Sequence, residues 1–400
     1  MGSPTRQTQA EAPPRANPAE NGDAPTSVAA PSVPLRSAGA DDDNGKRDAR
    51  ARVIAFYLPQ FHPIPENDRW WGQGFTEWTN VGRARRLYPG HYQPRVPADL
   101  GYYDLRVPET RAAQAEMAAA HGVEGFCWWH YWFAGRRLLQ RPFNEVLESG
   151  EPEFPFCLGW ANESWTGVWH GDSDRMLVEQ TYPGVEDYER HFFSVLDALA
   201  DDRYLRVDGR PLFYVYQPKQ LPDPRVFAET WRRLSERVGF PVLYLVGQPD
   251  RTWSAADHGF DERAIVRLPR IQPGSRVRRW LRRRSPLPVI KSYASVQRQV
   301  IQTFGADSLP CLLPNWDNTP RSGRGGAVLH NSTPELFGEM VERAVDAVSL
   351  RPREERLIFV KSWNEWAEGN HLEPDLRHGM GYLEAIRESV TLAADQPRSR

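Results

Sequence analysis

From residue 51 onward the chain alternates short apolar runs with longer stretches of helical periodicity. Eight runs stand out: Val53–Leu58, Val123–Trp129, Phe154–Trp160, Pro211–Tyr216, Pro241–Val246, Ala264–Leu268, Pro310–Leu313 and Leu357–Val360, the last continuing into Lys361–Trp363. They are continuous rather than alternating and rich in β-branched and aromatic residues, as strands buried on both faces should be. Between them, Pro108–His121, Val185–Leu199, Pro224–Val238, Ser292–Phe304, Pro334–Val348 and Tyr382–Leu392 read as helices. The first opens on Pro with Glu109 beside it and stops at Gly122. The second puts Tyr188, Phe192, Val195 and Leu199 on one face. Strands alternating with helices imply βαβ units. Eight of them predict an α/β fold of the (β/α)8 TIM-barrel class in a single domain. No GxGxxG or GxxxxGK[ST] follows a run, which counts against a doubly wound nucleotide-binding fold.

Composition separates the first 50 residues from the rest. They hold ten Ala and seven Pro but none of the 46 aromatic residues of the 400-residue chain. Such a segment buries too little apolar surface to offset its ordering entropy, so residues 1–50 are expected to be a disordered tail and 51–395 the catalytic domain. The tail lacks the apolar stretch of a secretory signal, no run suits a membrane span, and a cytoplasmic protein is the default expectation. Fifty basic against 52 acidic residues exclude a globally basic nucleic-acid binder. Cys127, Cys157 and Cys311 sit in apolar runs without a CxxC pair, so they read as core residues and not zinc ligands. Ser275–Arg284, with six Arg in ten residues, looks like an insertion. It reads as a solvated loop or, through Arg276–Arg284, a contact for a membrane surface or anionic glycolipid.

Fifteen Trp call for an explanation, and twelve of them follow five of the eight runs. In a barrel enzyme the active site lies at those strand ends. The clusters contain Tyr57, Gln60, His62, Trp71, Glu77 and Trp78 after the first run, and Trp129, His130, Tyr131 and Trp132 in the second. Trp160, Asn162, Glu163 and Trp165 follow the third, with Trp169 soon after; Asn315, Trp316 and Asp317 follow the seventh; Trp363, Asn364, Glu365, Trp366 and Glu368 follow the eighth. Aromatic rings interleaved with amides and carboxylates suit a sugar, whose C–H faces pack on rings and whose hydroxyls need polar partners. Glycoside chemistry uses two carboxyl groups, one kept protonated by a partly dry pocket. Glu365 and Glu368, three apart after the last run, are the candidate catalytic pair. The other residues named, Trp169 apart, are candidate substrate contacts. No HExxH and no GxSxG occurs, so neither a metal, a cofactor nor a serine nucleophile is expected.

These motifs resemble the WbsX-type family, also described as glycoside hydrolase family 99-like. The resemblance rests on Tyr57–His62 (YLPQFH), Trp71-Gly72, Phe75–Trp78 (FTEW), Phe126–Phe133 (FCWWHYWF), Trp160–Trp165 (WANESW), Asn315–Arg321 (NWDNTPR) and Trp363–Pro374 (WNEWAEGNHLEP). It implies a (β/α)8 barrel acting on polysaccharide, often in O-antigen or capsule contexts. Family 99 enzymes are retaining, metal-independent endo-mannosidases. By that resemblance Glu365 assists the sugar 2-hydroxyl in attacking the anomeric carbon, and Glu368 is general acid and then base. The expectation is therefore a retaining glycoside hydrolase or transglycosylase acting on a bacterial surface polysaccharide or mannan-like glycan. The alternatives are a glycosyltransferase of O-antigen, capsule or lipopolysaccharide assembly, and an inactive sugar-binding barrel.

Overall fold

The computed structural model describes residues 49–167, 175–250, 252–266, 287–305 and 307–391. Nearly all of the expected tail, the Arg-rich insertion, Trp169 and Trp280 lie outside them. All eight apolar runs form strands: β1 (Arg52–Tyr57), β2 (Val123–Phe133), β3 (Phe156–Trp160), β4 (Arg210–Val215), β5 (Tyr244–Gly247), β6 (Glu262–Ile265), β7 (Leu309–Leu312) and β8 (Leu357–Val360). Each pairs in parallel with its sequence neighbours, and β8 pairs with β1 through Arg52–Ala55 and Leu357–Val360, closing the barrel. The fold is a closed eight-stranded parallel β-barrel surrounded by helices.

Among the described residues the helices of nine or more residues are α1 (Pro108–Ala120), α2 (Arg141–Ser149), α3 (Val185–Ala200), α4 (Pro224–Arg237), α5 (Tyr293–Ile301), α6 (Pro334–Val348) and α7 (Gly381–Val390). Six of these match the helical stretches read from the sequence. The seventh, α2, was not anticipated, because Arg141–Ser149 is short and holds few apolar residues. Between β5 and β6 the chain makes only a 3₁₀ turn at Ala256–His258 among the described residues. The β2 strand runs on to Phe133 and folds back as a hairpin with Arg136–Leu138, which carries the second aromatic cluster beyond the barrel rim.

Strand alternation sorts the aromatic residues into two layers. Phe56 of β1 stacks on Trp129 of β2, with centroids 4.6 Å apart and planes at 8°, and meets Tyr214 of β4 at 4.8 Å and Phe359 of β8 at 5.4 Å. These four rings fill the bore. The neighbours in sequence, Tyr57 and Trp128, point outward and pack on each other at 4.0 Å under the helices. Continuous apolar runs follow directly, since both faces of each strand are buried.

The β2–β3 contact is close because Gly125 has no side chain. A Cβ there would lie 2.5 Å from the Pro155 carbonyl oxygen and 3.0 Å from Leu205 Cδ1. Further up β2, His130 and His191 of α3 meet Nε2 to Nε2 at 3.0 Å inside a shell of Trp132, Trp160 and Trp231. One ring nitrogen must donate and the other accept, so at least the accepting imidazole is neutral, and burial favours the neutral form of both. Burial holds both well below the ordinary histidine value, and in His191 the neighbouring His130 adds to it.

Two outcomes are expected. Gly125→Ala should lower stability by ~1–3 kcal/mol in urea denaturation, since the backbone of Pro155 must shift. Wild-type protein should also lose stability as pH falls from 6.5 to 5, because the unfolded chain protonates both histidines while the folded one does not. The slope is about 1.4 kcal/mol per pH unit per histidine. His191→Phe should shallow that loss, and an unchanged pH dependence of the urea midpoint would contradict the neutral pair.

Candidate active site

Six strands send residues into one cavity of ≈180 Å³ at their C-terminal ends. The β1 loop supplies Gln60, Trp70 and Trp71 (the two Trp from the short helix Pro65–Trp71), then Glu77 and Asn80 from Glu77–Arg83. Trp129 and Tyr131 come from β2, Glu163 and Trp165 from the β3 loop, and Tyr216 from the end of β4. The β7 loop gives Trp316 and Arg321, and the β8 loop gives Lys361, Glu365 and Glu368. The cavity floor is the Trp129 ring, held by the bore beneath it.

A chain of buried charges runs along one wall. Arg321 donates from Nε and Nη2 to Glu77 Oε2 at 3.1 and 3.0 Å, and from Nη1 to Glu368 Oε1 at 2.7 Å; its Nη1 is 3.7 Å from Glu365 Oε1. Lys361 Nζ donates to Glu365 Oε2 at 3.0 Å and lies 4.0 Å from Glu368 Oε2. Glu365 and Glu368 share both cations, Arg321 Nη1 and Lys361 Nζ each lying within 4.0 Å of an oxygen of either carboxyl. Three carboxyl groups thus face two cations, and one proton brings the group to neutrality.

The geometry decides where that proton sits. Burial pushes Glu365 up, but Lys361 and Arg321 outweigh it and leave its carboxyl below the ordinary value. In Glu368 burial and the neighbouring Glu365 carboxylate prevail over Arg321 and Lys361, raising it to about 8. The pair therefore shares a proton that resides on Glu368 at neutral pH. Glu77 is raised by burial against the pull of Arg321. Burial also raises Glu163, with Lys361 opposing and Glu365 adding.

The turn that carries the pair is tightly braced. The Glu365 N–H donates to Ser362 Oγ at 3.0 Å, and the Asp317 N–H donates to the Glu368 carbonyl at 2.6 Å. Gly369 adopts φ +57°, and a Cβ there would lie 2.9 Å from Arg95 Nε and Asp317 Cβ. Behind the turn, Glu373 accepts from Trp366 Nε1 (2.5 Å), Gln114 Nε2 (2.6 Å) and the Tyr103 hydroxyl (2.9 Å), and burial raises it to about 7.

Of the candidates read from the sequence, Gln60, Trp71, Glu77, Trp129, Tyr131, Glu163, Trp165, Trp316, Glu365 and Glu368 line the cavity. The others lie outside its lining. Tyr57 bonds Gln114 beneath the helices, His62 bonds the Pro59 carbonyl, and Trp78 donates to the Tyr103 carbonyl. His130, Trp132 and Trp160 form the shell around His191. Asn315 caps its own turn at the Trp316 N–H, and Asp317 accepts from His91 and Gln93 at 2.8 Å each. Trp363 packs on Phe126, and Trp366 stacks on His371 at 3.8 Å. Asn162 and Asn364 spend their amides on backbone groups. Sequence reasoning passed over Arg321, Lys361 and Tyr216 as site residues. A lone Lys ending the most apolar strand was the available signal, since a cation there needs a buried partner. Among the described residues no group of three or more His, Cys, Asp or Glu is arranged to hold a metal ion, and no helix is long and apolar enough to cross a membrane.

Comparison with known proteins agrees with this fold. A solved glycoside hydrolase-like protein superposes with TM-score 0.58 at 13% identity, over 91% of this chain and 98% of that one. The family 99 endo-α-mannosidase of Bacteroides thetaiotaomicron, solved with bis-tris propane, gives 0.51 at 14% identity over 84% and 95%. In sequence, the chain is 40% identical over 357 residues to the uncharacterized protein WxcX of two Xanthomonas campestris pv. campestris strains, covering 86% of this chain. It spans about half the length of those relatives, 50%. The family model described as glycosyltransferase WbsX matches residues 53–386, and the chain belongs to the WbsX family.

Proposed function

We propose that the chain is a carbohydrate-active enzyme that transfers glycosyl units in the assembly of a bacterial surface polysaccharide, with Glu365 and Glu368 as the reacting carboxyl groups. The observation that carries this reading is the proton-sharing pair, fixed by Lys361 and Arg321 at the end of a Trp-lined cavity. The family description supports transfer over hydrolysis.

Each carboxyl suits one half of the chemistry. Glu365 is kept ionised by Lys361 and serves as the base that takes the sugar 2-hydroxyl proton as that oxygen attacks the anomeric carbon. Glu368 is kept protonated and gives its proton to the departing oxygen. An acceptor hydroxyl then returns a proton to Glu368 as its oxygen bonds to the anomeric carbon, the bond from that carbon to the 2-oxygen breaks, and the 2-oxygen recovers its proton from Glu365. Hydrolysis is the second reading, favoured by the same pair: water replaces the acceptor hydroxyl and no other residue changes role.

Incubation with O-antigen, capsule and α-mannan fragments, with and without nucleotide sugars, tests this. Longer products signal transfer, and new reducing ends signal hydrolysis. Glu365→Gln and Glu368→Gln should each lower kcat by about 10²–10⁴-fold. Because Glu368 must carry its proton, activity should fall tenfold per unit as pH rises above about 8. Because Glu365 must be ionised, the acid limb should lie below 4.5. Full activity in both variants would sink the carboxyl-pair mechanism, and strict dependence on a nucleotide sugar would sink the hydrolysis reading.

A further inference from the structure

Two glutamates of the cavity are mounted by the same device on different strands. Asn364 precedes Glu365 after β8, and its Oδ1 accepts from the Leu58 N–H at 2.7 Å while its Nδ2 donates to the Leu58 carbonyl at 3.1 Å. Asn162 precedes Glu163 after β3, and it makes the same two bonds with Gln217, at 2.7 and 2.9 Å. Leu58 follows β1 and Gln217 follows β4, so each amide reaches to the next strand around the barrel. A tyrosine hydroxyl accepts the second Nδ2 proton in both cases, Tyr103 at 3.3 Å and Tyr182 at 3.0 Å. Both amides are fully buried. An amide paired with both backbone groups of one residue has a single orientation, which fixes the turn and the aim of the glutamate after it.

The two glutamates differ in what faces them. Glu365 is matched by Lys361 and approached by Arg321. Glu163, beside Trp165 in the wall, makes no side-chain hydrogen bond or ion pair among the described residues. The cavity holds four carboxyl groups, Glu77, Glu163, Glu365 and Glu368, against two cations. Both cations are committed to carboxyls other than Glu163. A carboxylate on a braced turn with unused acceptor capacity, next to an aromatic ring, fits a pair of adjacent sugar hydroxyls. It repels an anion, and the two cations of the described lining are already paired with other carboxyls.

We propose that Glu163 is a substrate-binding residue that accepts hydrogen bonds from adjacent hydroxyls of an uncharged sugar unit and excludes uronate- and phosphate-bearing units from the cavity. This rests on the carbohydrate reading above but not on the roles of Glu365 and Glu368. The probes are an α-mannan tetrasaccharide and the same compound oxidised at C6 to uronates, titrated against full-length protein by intrinsic tryptophan fluorescence. Wild type should bind the neutral form at least tenfold tighter than the oxidised one. Glu163→Gln should weaken neutral binding tenfold or more and narrow the gap. Glu163→Asp, which keeps the charge, should retain the preference and guards against misfolding as the cause. On any fragment the enzyme turns over, Glu163→Gln should raise KM tenfold with kcat reduced less than threefold. Equal binding of both forms, no binding by wild type, an unchanged Kd in Glu163→Gln, or a loss confined to kcat would each overturn the proposal. If the binding pattern holds while no fragment is turned over, the transfer reading fails and this one stands.

Discussion

The site depends on one buried electrostatic group: Arg321 held between Glu77 and Glu368, and Lys361 held against Glu365. These residues come from the loops after β1, β7 and β8, so the same contacts that set the charge balance also tie three loops together. Losing either cation would strand a buried carboxylate, which costs several kcal/mol in such surroundings. Protonating Glu368 is the cheaper way to neutrality. The protonated carboxyl is thus a product of how the loops are held.

Around this group lies a layer of polar contacts that never reach the cavity. Asp317 collects His91, Gln93 and Thr319, and its own N–H braces the Glu368 carbonyl. Arg95 and the His91 partner of Asp317 leave that carboxyl below its ordinary value despite burial. Glu373 does the opposite, raised by burial among neutral donors. Motif residues of the last loop therefore divide into those that line the cavity and those that hold the turn's shape, and Gly369 belongs to the second set.

The barrel was legible because burial on both strand faces writes unbroken apolar runs, and all eight could be read. Boundaries shifted where the run and the hydrogen-bonded ladder differ, as at Pro241–Val246 against Tyr244–Gly247. The aromatic excess was less transparent. Adjacent residues of a strand face opposite ways, so Trp129 enters the cavity while Trp128 packs under α2. Clustering at strand ends could not separate these two fates. Trp160, Trp363 and Trp366 also turn to the core, and Trp70, Trp71, Trp129, Trp165 and Trp316 line the cavity. Arg321 and Lys361 were hidden because a cation matters here through partners far away in sequence.

The four stacked rings of the bore have a consequence for traffic. Phe56, Trp129, Tyr214 and Phe359 seal the barrel from wall to wall beneath the cavity. The cavity therefore has a closed aromatic floor among the described residues, and a ligand reaches it from the C-terminal ends of the strands and not along the barrel axis.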